Sequence, residues 1–123
     1  MLTVLVAAKR KPGLSPEEFK NYWVNSHAPL VLSVEEFTRH LRRYVIYPLI
    51  GASGKDDFVL GQFPGYDGVG ELRFDSLDAM KTAFAEPKYL EIIRPDEDKF
   101  LDRDSCLTFL TDELIQKELP ERG

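Results

Sequence analysis

The sequence predicts an α+β domain of the ferredoxin-like class, in which one antiparallel sheet is covered by helices on one face. Three observations predict this class. Apolar segments of strand length lie near residues 2–9, 40–48, 69–75 and 105–111. One helix with clear capping signals follows the first of these strands, and another follows the third. The resulting order, β-α-β-β-α-β, is typical of the split βαβ sheet.

The first strand and the start of the first helix have the clearest local signals. The run Leu2–Ala8 is short, apolar and rich in valine, which predicts a buried strand. After a turn, Ser15 is expected to be the N-cap of a helix and Pro16 its first residue, where a missing N–H costs nothing. Glu18 lies three residues after Ser15 and completes a capping box. We therefore expect the helix to begin at about Ser15.

The end of this helix is predicted from a proline. Ala28 precedes Pro29, and a residue before proline disfavours the α region. The helix is therefore expected to end near Ser26, with His27 at its C-terminus. A helix C-terminus favours the imidazolium form and burial disfavours it, so the sequence leaves the charge of His27 open. The aromatic residues expected on the same helix face are Phe19, Tyr22 and Trp23.

Two further helical segments are predicted after the first helix. A short helical segment is expected after Pro29, and Ser76 is expected to cap a further helix. The charge-rich segment 96–104 is expected to be anchored by Phe100. The predicted buried stripe of the Ser76 helix consists of Leu77, Met80 and Phe84.

The second strand has large side chains on both of its predicted faces. Alternation places Arg42, Tyr44 and Ile46 on one face and Arg43, Val45 and Tyr47 on the other. On the third strand, Glu71 and Arg73 are expected to share the second of these faces. Because the helices cover only one side of the sheet, the other side needs a partner. We therefore predict a homodimer that pairs the sheets face to face.

Composition limits the classes of protein and of partner. The chain has 123 residues and is predicted to form a single domain, with a tail of about residues 112–123 available to dock on a partner subunit. A net charge of −5 argues against nucleic acid as a partner, and no apolar run is long enough to span a membrane. The lone Cys106 and the absence of a secretory signal pattern predict a cytoplasmic protein.

Two segments have open interpretations. Residues 51–68 contain five glycines, and the sequence favours a lid and a simple packing role equally. The basic cluster Arg39, Arg42 and Arg43 suits either an anionic substrate or a surface of ion pairs, and we favour ion pairs.

One segment makes the chain recognisable. Residues 11–30 are KPGLSPEEFKNYWVNSHAPL, and this segment resembles the N-terminal signature of the EthD family, which is close to GLSxEEFxxYW…HAPL. The match is dense over residues 13–30 and looser over the rest of the chain. The resemblance implies a ferredoxin-like unit that pairs into a dimeric α+β barrel. Many relatives of that barrel act on small aromatic, lactone or polyketide molecules.

Five residues are predicted to form a site between the helices and the sheet. His27 is the candidate general acid or base, because imidazole titrates near neutral pH. The alternative is that it only caps a helix, but the family resemblance favours a role in a pocket. Tyr44 is expected to assist by hydrogen bonding an oxyanion, or else to be an ordinary strand aromatic. Tyr22, Trp23 and Leu72 are expected to line the pocket; related muconolactone-type isomerases carry a cysteine where Leu72 stands here.

The sequence predicts no metal site and no cofactor. The two histidines are not spaced as ligands, and neither a CxxC motif nor a nucleotide-binding glycine motif is present. The first hypothesis is therefore a cofactor-independent enzyme that uses His27 to transfer protons on a small aromatic, lactone or polyketide-like molecule, as isomerase, cyclase, dehydratase or decarboxylase. One alternative is an oxidoreductase or accessory protein of oxidative ether or aromatic degradation. Another is a non-catalytic dimeric protein that binds a small molecule.

Overall fold

The fold is one four-stranded antiparallel sheet with helices packed on one face. The computed structural model describes residues 1–50 and 65–122. The strand order is β2-β3-β1-β4, and all three neighbouring pairs are antiparallel. This arrangement confirms the predicted ferredoxin-like class. The strands are β1 (Leu2–Ala8), β2 (Leu41–Pro48), β3 (Gly68–Phe74) and β4 (Leu107–Asp112).

The helical layer consists of short α-helices joined by two turns of π-helix. The capping box predicted at Ser15 is present, because the Ser15 hydroxyl accepts from the Glu18 N–H and the Glu18 carboxylate accepts from the Ser15 N–H. The α-helices are α1 (Pro16–Tyr22), α2 (Ala28–Ser33), α3 (Glu35–Thr38), α4 (Leu77–Ala85) and α5 (Arg94–Glu97). The π turns are Trp23–His27 and Tyr89–Ile93, and Arg103–Ser105 forms a 3₁₀ turn.

The first helix does not end before Pro29, which corrects the prediction. The chain widens into the π turn Trp23–His27, in which the Ala28 N–H reaches back five residues to the Trp23 carbonyl, and then continues as α2. In a regular α-helix the ring of Pro29 would collide with the carbonyl four residues earlier. The wider turn gives the ring room. His27 therefore lies inside a continuous helical segment and not at a helix C-terminus.

The second helical segment uses the same arrangement. The π turn Tyr89–Ile93 is closed by a hydrogen bond from the Arg94 N–H to the Tyr89 carbonyl, and Pro95 follows at once. Each π turn thus ends two residues before a proline. Turns of this kind often occur at functional sites, because they redirect the side chains around them.

A bulge in β2 changes which of its residues face the helices. The register of β2 against β3 shifts between Leu41 and Arg43. Leu41 and Tyr44 both pack on the helix side, whereas Arg42 is exposed and bonds Asp75. The predicted alternation, which put Arg42 on the face of Tyr44, is wrong because a bulge sets two residues opposite one.

Two aromatic clusters form the core between the sheet and the helices. One is centred on Phe37 and Phe74, and the other joins Trp23 to Phe100. The burial of Phe100 confirms its predicted anchoring role. Leu77 is exposed, which corrects the predicted stripe of α4, while the small Ala83 is buried where the helix meets its neighbours.

The other sheet face is not covered by helices. Register places Leu5, Val45, Glu71 and Phe109 in one row across the sheet. Glu71 is buried and accepts hydrogen bonds from Arg43, Tyr47 and Arg73. Among the described residues, no helix has the length and the apolar character needed to cross a membrane.

The remaining predictions concern the arginines, the loop and the tail. The arginine cluster is paired within the chain, which supports the ion-pair interpretation. Most of the segment 51–68, for which a lid or a packing role was predicted, lies outside the described residues, namely at residues 51–64. The docking of the tail on a partner stays a prediction. The pairs are Arg39 with Glu86, Arg42 with Asp75 and Arg43 with Glu71.

Candidate functional site

A cavity of about 700 Å³ lies between the sheet and the helical layer. This volume is suitable for a small organic ligand. Its sheet wall is largely apolar, and its polar groups come mainly from the helical side and from the segment before β4. The residues that line it include Trp23, His27, Tyr44, Leu72, Tyr89, Glu97 and Arg103.

His27 lines the cavity from the end of the first π turn. The residue is 5% exposed, and its ring packs on Phe100 with the centroids 4.7 Å apart. Its Nδ1 lies 2.8 Å from Oδ2 of Asp96. Burial lowers the pKa of His27, and although Asp96 opposes this, the pKa stays below its ordinary value. The imidazole is therefore neutral at pH 7, with Nδ1–H donating to Asp96 and Nε2 free to accept a proton.

Asp96 holds His27 in this tautomer. It is 6% exposed and follows Pro95 directly on α5. Its other oxygen accepts a hydrogen bond from the Tyr22 hydroxyl at 2.6 Å. Burial raises the pKa of Asp96, but the hydrogen bonds from Tyr22 and His27, together with nearby positive charge that includes Lys99, leave the pKa below its ordinary value. Asp96 is therefore a carboxylate and can accept from both donors.

Trp23 and Tyr44 form a second hydrogen-bonded pair in the cavity wall. The indole Nε1–H donates to the Tyr44 hydroxyl oxygen at 3.2 Å. Burial raises the pKa of Tyr44 to about 12, so that the phenol stays protonated and keeps its own hydrogen to donate. The indole lies against Gly68 and Gly70 of β3, where a Cβ would approach it to 2.8 and 3.2 Å. The two glycines thus make room for the Trp23 ring.

Four of the five predicted site residues line one cavity. Leu72 lies on the apolar sheet wall, beside Tyr44 in the register of β2 and β3, as strand periodicity predicted. Tyr22 is the exception, since it is not among the residues found to line the cavity in the described part of the chain. Its hydroxyl donates to Asp96 instead, so Tyr22 contacts the residue that holds His27.

Sequence reasoning missed the two acidic residues of the site. Asp96 and Glu97 were expected only as part of a charged segment. Glu97 lines the cavity and accepts from the Tyr89 hydroxyl at 2.8 Å, and burial raises its pKa. The signal that could have identified the segment is Pro95, which follows the second π turn by two residues as Pro29 follows the first. In the described residues, no group of three or more His, Cys, Asp or Glu side chains is arranged to hold a metal ion.

Comparison with known families decides the membership of the chain. The model of the EthD domain matches residues 11–104. This chain belongs to the EthD family. The match includes the GLSPEEF segment, His27 and the Asp96–Glu97 pair, so it covers the whole site on the helical side.

Two relatives of this EthD protein carry names that describe a reaction. The dehydratase ustZ of Ustilaginoidea virens is 29% identical over 110 residues, which cover 83% of this chain and 76% of the relative. The conidial pigment biosynthesis dehydratase EthD of Metarhizium robertsii is 27% identical over 108 residues, with 83% of this chain and 75% of the relative covered.

Solved structures share the fold. An EthD-family protein of Bacillus halodurans aligns with a TM-score of 0.65 at 18% identity and covers 93% of this chain and 100% of its own. A protein of Bacteroides fragilis, described as dimeric and ferredoxin-like, aligns with a TM-score of 0.62 at 12% identity, over 91% of this chain and 95% of its own. At these identities the likeness concerns the fold alone.

Proposed function

We propose that this EthD-family protein is a small dehydratase-like enzyme in which His27 removes a proton from a small aromatic or polyketide-like alcohol. The observation that carries the proposal is the neutral His27 imidazole, which lines a ligand-sized cavity while Asp96 holds its Nδ1–H. A neutral imidazole whose pKa lies near or below the working pH is a suitable general base.

The arrangement suits the first step of a dehydration. Loss of water from a β-hydroxy ketone begins with removal of the C–H proton next to the carbonyl group. Nε2 of His27 is the acceptor for that proton. The Tyr44 hydroxyl donates to the carbonyl oxygen, where negative charge develops, and such a donor stabilises the transition state. Trp23 and Leu72 offer flat and apolar surfaces to the carbon skeleton.

The relatives support the same class of reaction. Both are named dehydratases, and one is named for conidial pigment biosynthesis. The competing hypothesis from the sequence is a non-catalytic binding or accessory protein in which His27 only caps a helix. His27 lies inside a continuous helical segment and lines a ligand-sized cavity, which supports a role in the site over a capping role.

The test of the proposal is the pair of variants His27→Gln and His27→Ala. The assay follows aromatisation of hydroxylated bicyclic ketones by absorbance and loss of water by mass spectrometry. Both variants should lose turnover by roughly 10²–10⁴-fold, since glutamine retains hydrogen bonding but does not take up the proton. The matched control is His40→Gln, which changes the other histidine of the chain, outside the cavity lining.

Folding is measured in parallel by the unfolding midpoint. A His27→Gln protein that folds normally and turns over substrate like the wild type would refute the role of His27. Ligand binding without turnover by the wild type would instead support the binding-protein hypothesis.

A further inference from the structure

We propose that Glu97 is the general acid of this cavity and protonates the hydroxyl group that leaves as water. The inference rests on the proposed dehydratase function and adds a second catalytic residue to it. Dehydration needs two proton transfers, one from carbon and one to the leaving oxygen. His27 accounts for the first, and the second needs an acid in the same cavity.

The position of Glu97 follows from its place on α5. Asp96 and Glu97 are consecutive, and their side chains lie in different surroundings. The Asp96 side chain turns to His27, whereas that of Glu97 lines the cavity. One short helix therefore supplies both the residue that holds the base and a carboxyl group inside the same cavity as the base.

The surroundings of Glu97 hold its carboxyl group in place. The Tyr89 hydroxyl donates to Oε2 at 2.8 Å, and Nε of Arg103 lies 3.7 Å from Oε1. The Glu97 side chain is 18% exposed, so it is largely shielded from solvent but remains open to the cavity. Oε1 has no such close hydrogen bond among the described residues, which leaves it available to a ligand.

The charges that face Glu97 determine its protonation. Burial raises its pKa, while the Tyr89 hydrogen bond and the charges of Arg103 and Arg94 oppose this and the charge of Asp98 adds to it. The net direction is upward. The charge of Glu97 in turn contributes to the raised pKa of Tyr44, in keeping with both side chains lining one cavity.

The proposed step accounts for every proton and electron pair that moves. Nε2 of His27 takes the proton from carbon, and the electrons of that C–H bond form the new C=C bond. The C–O bond breaks as the O–H of protonated Glu97 gives its proton to the leaving oxygen, which departs as water. His27 is then imidazolium and Glu97 carboxylate. Solvent takes the proton from His27 and returns one to Glu97, and no oxidant or reductant is required.

The test compares Glu97→Gln with the wild type. Glutamine keeps the size and the polarity of the side chain but has no acidic proton, so kcat should fall by about 10²-fold or more. Activity of the wild type should decline as pH rises through the pKa of Glu97, and the variant should lack this decline. Affinity for 2-naphthol, an unreactive aromatic probe, should change little. The matched control is Glu91→Gln, an exposed carboxylate paired with Lys88 on the protein surface.

Each outcome decides for or against the assignment. Wild-type kcat and an unchanged pH profile in Glu97→Gln would overturn it. Weakened 2-naphthol binding with normal kcat would also overturn it and make Glu97 a binding residue. If His27→Gln is inactive while Glu97→Gln is active, the proposed function stands and only this inference falls. If the wild type binds 2-naphthol but dehydrates none of the hydroxylated bicyclic ketones, both fall.

Discussion

At the residue scale, the chemistry depends on what Asp96 does to His27. A buried histidine without a partner is neutral but has no fixed tautomer. The Asp96 carboxylate accepts only, so it places the hydrogen on Nδ1 and leaves the free lone pair on Nε2. Tyr22 occupies the other Asp96 oxygen and stops the carboxylate from turning away. The hydrogen bonds from Tyr22 and His27 therefore converge on Asp96, one on each carboxylate oxygen.

We expect Asp96→Asn to slow turnover by about 10–100-fold, because a hydrogen bond to a charged group is worth roughly 1.5–3 kcal/mol. The Asp96 carboxylate raises the pKa of His27, although burial lowers it more. Removing the carboxylate should therefore lower that pKa further and move the acidic limb of the rate–pH profile to lower pH. The limb can be measured by kinetics and by NMR titration of the ring. Tyr22→Phe is the control and should give a smaller shift; an acidic limb unmoved by Asp96→Asn would contradict the argument.

At the element scale, two proline-linked π turns and two glycines shape the cavity. The π turns keep the helical layer continuous past Pro29 and Pro95, where regular α-helices would break. The glycines of β3 let the indole of Trp23 approach the sheet backbone. The position of Trp23, and with it the hydrogen bond to Tyr44, depends on this close approach.

Gly68→Ala should destabilise the protein by about 1–3 kcal/mol, as overpacking of a core does. A Cβ at Gly68 would lie 2.8 Å from the Trp23 ring and 3.1 Å from the Tyr47 carbonyl oxygen, which is fixed in the sheet. Gly70→Ala is the matched control: its Cβ would meet only the Trp23 ring, at 3.2 Å, so the cost should be smaller. Urea unfolding measures both. A larger cost for Gly70→Ala than for Gly68→Ala would contradict the packing argument.

At the scale of the whole molecule, the sheet has one face without helices. That face carries partly exposed apolar side chains, with Phe109 48% exposed. Its buried carboxylate, Glu71, already has three donors in its own chain, so it can enter an interface without an unpaired charge. We propose that two copies pair through this face.

Phe109→Asp should convert the proposed dimer to a monomer, because it would place an unpaired charge among side chains that the dimer buries. Sedimentation velocity at micromolar concentration measures the change. Leu32→Asp is the control: Leu32 is 59% exposed on α2, on the helical side, and its replacement should leave the dimer intact. A wild-type monomer at these concentrations would contradict the proposed assembly. The docking of the tail on a partner, through Leu114, Ile115 and Leu119, is a further prediction that depends on it.

The sequence by itself determined the features that depend on neighbouring residues. The capping box at Ser15 and the strand periodicity that directs Tyr44 and Leu72 to one face follow from spacings of a few residues. Trp23 and His27 were placed on a common face by helical periodicity, which survives the π turn closely enough for both to line the cavity. Local rules suffice here because the direction of each of these side chains depends only on its own helix or strand.

Only the tertiary structure decided the electrostatics of the site. Asp96 lies 69 residues from His27 in the chain, and their contact exists because α5 packs against the first π turn. The same packing buries His27 and lowers its pKa, where a helix C-terminus would have favoured the charged form. It also brings Glu97 into the cavity. Burial and long-range pairing depend on how distant segments pack together, and for that reason local sequence patterns predicted His27 as a candidate but neither its charge nor its partner.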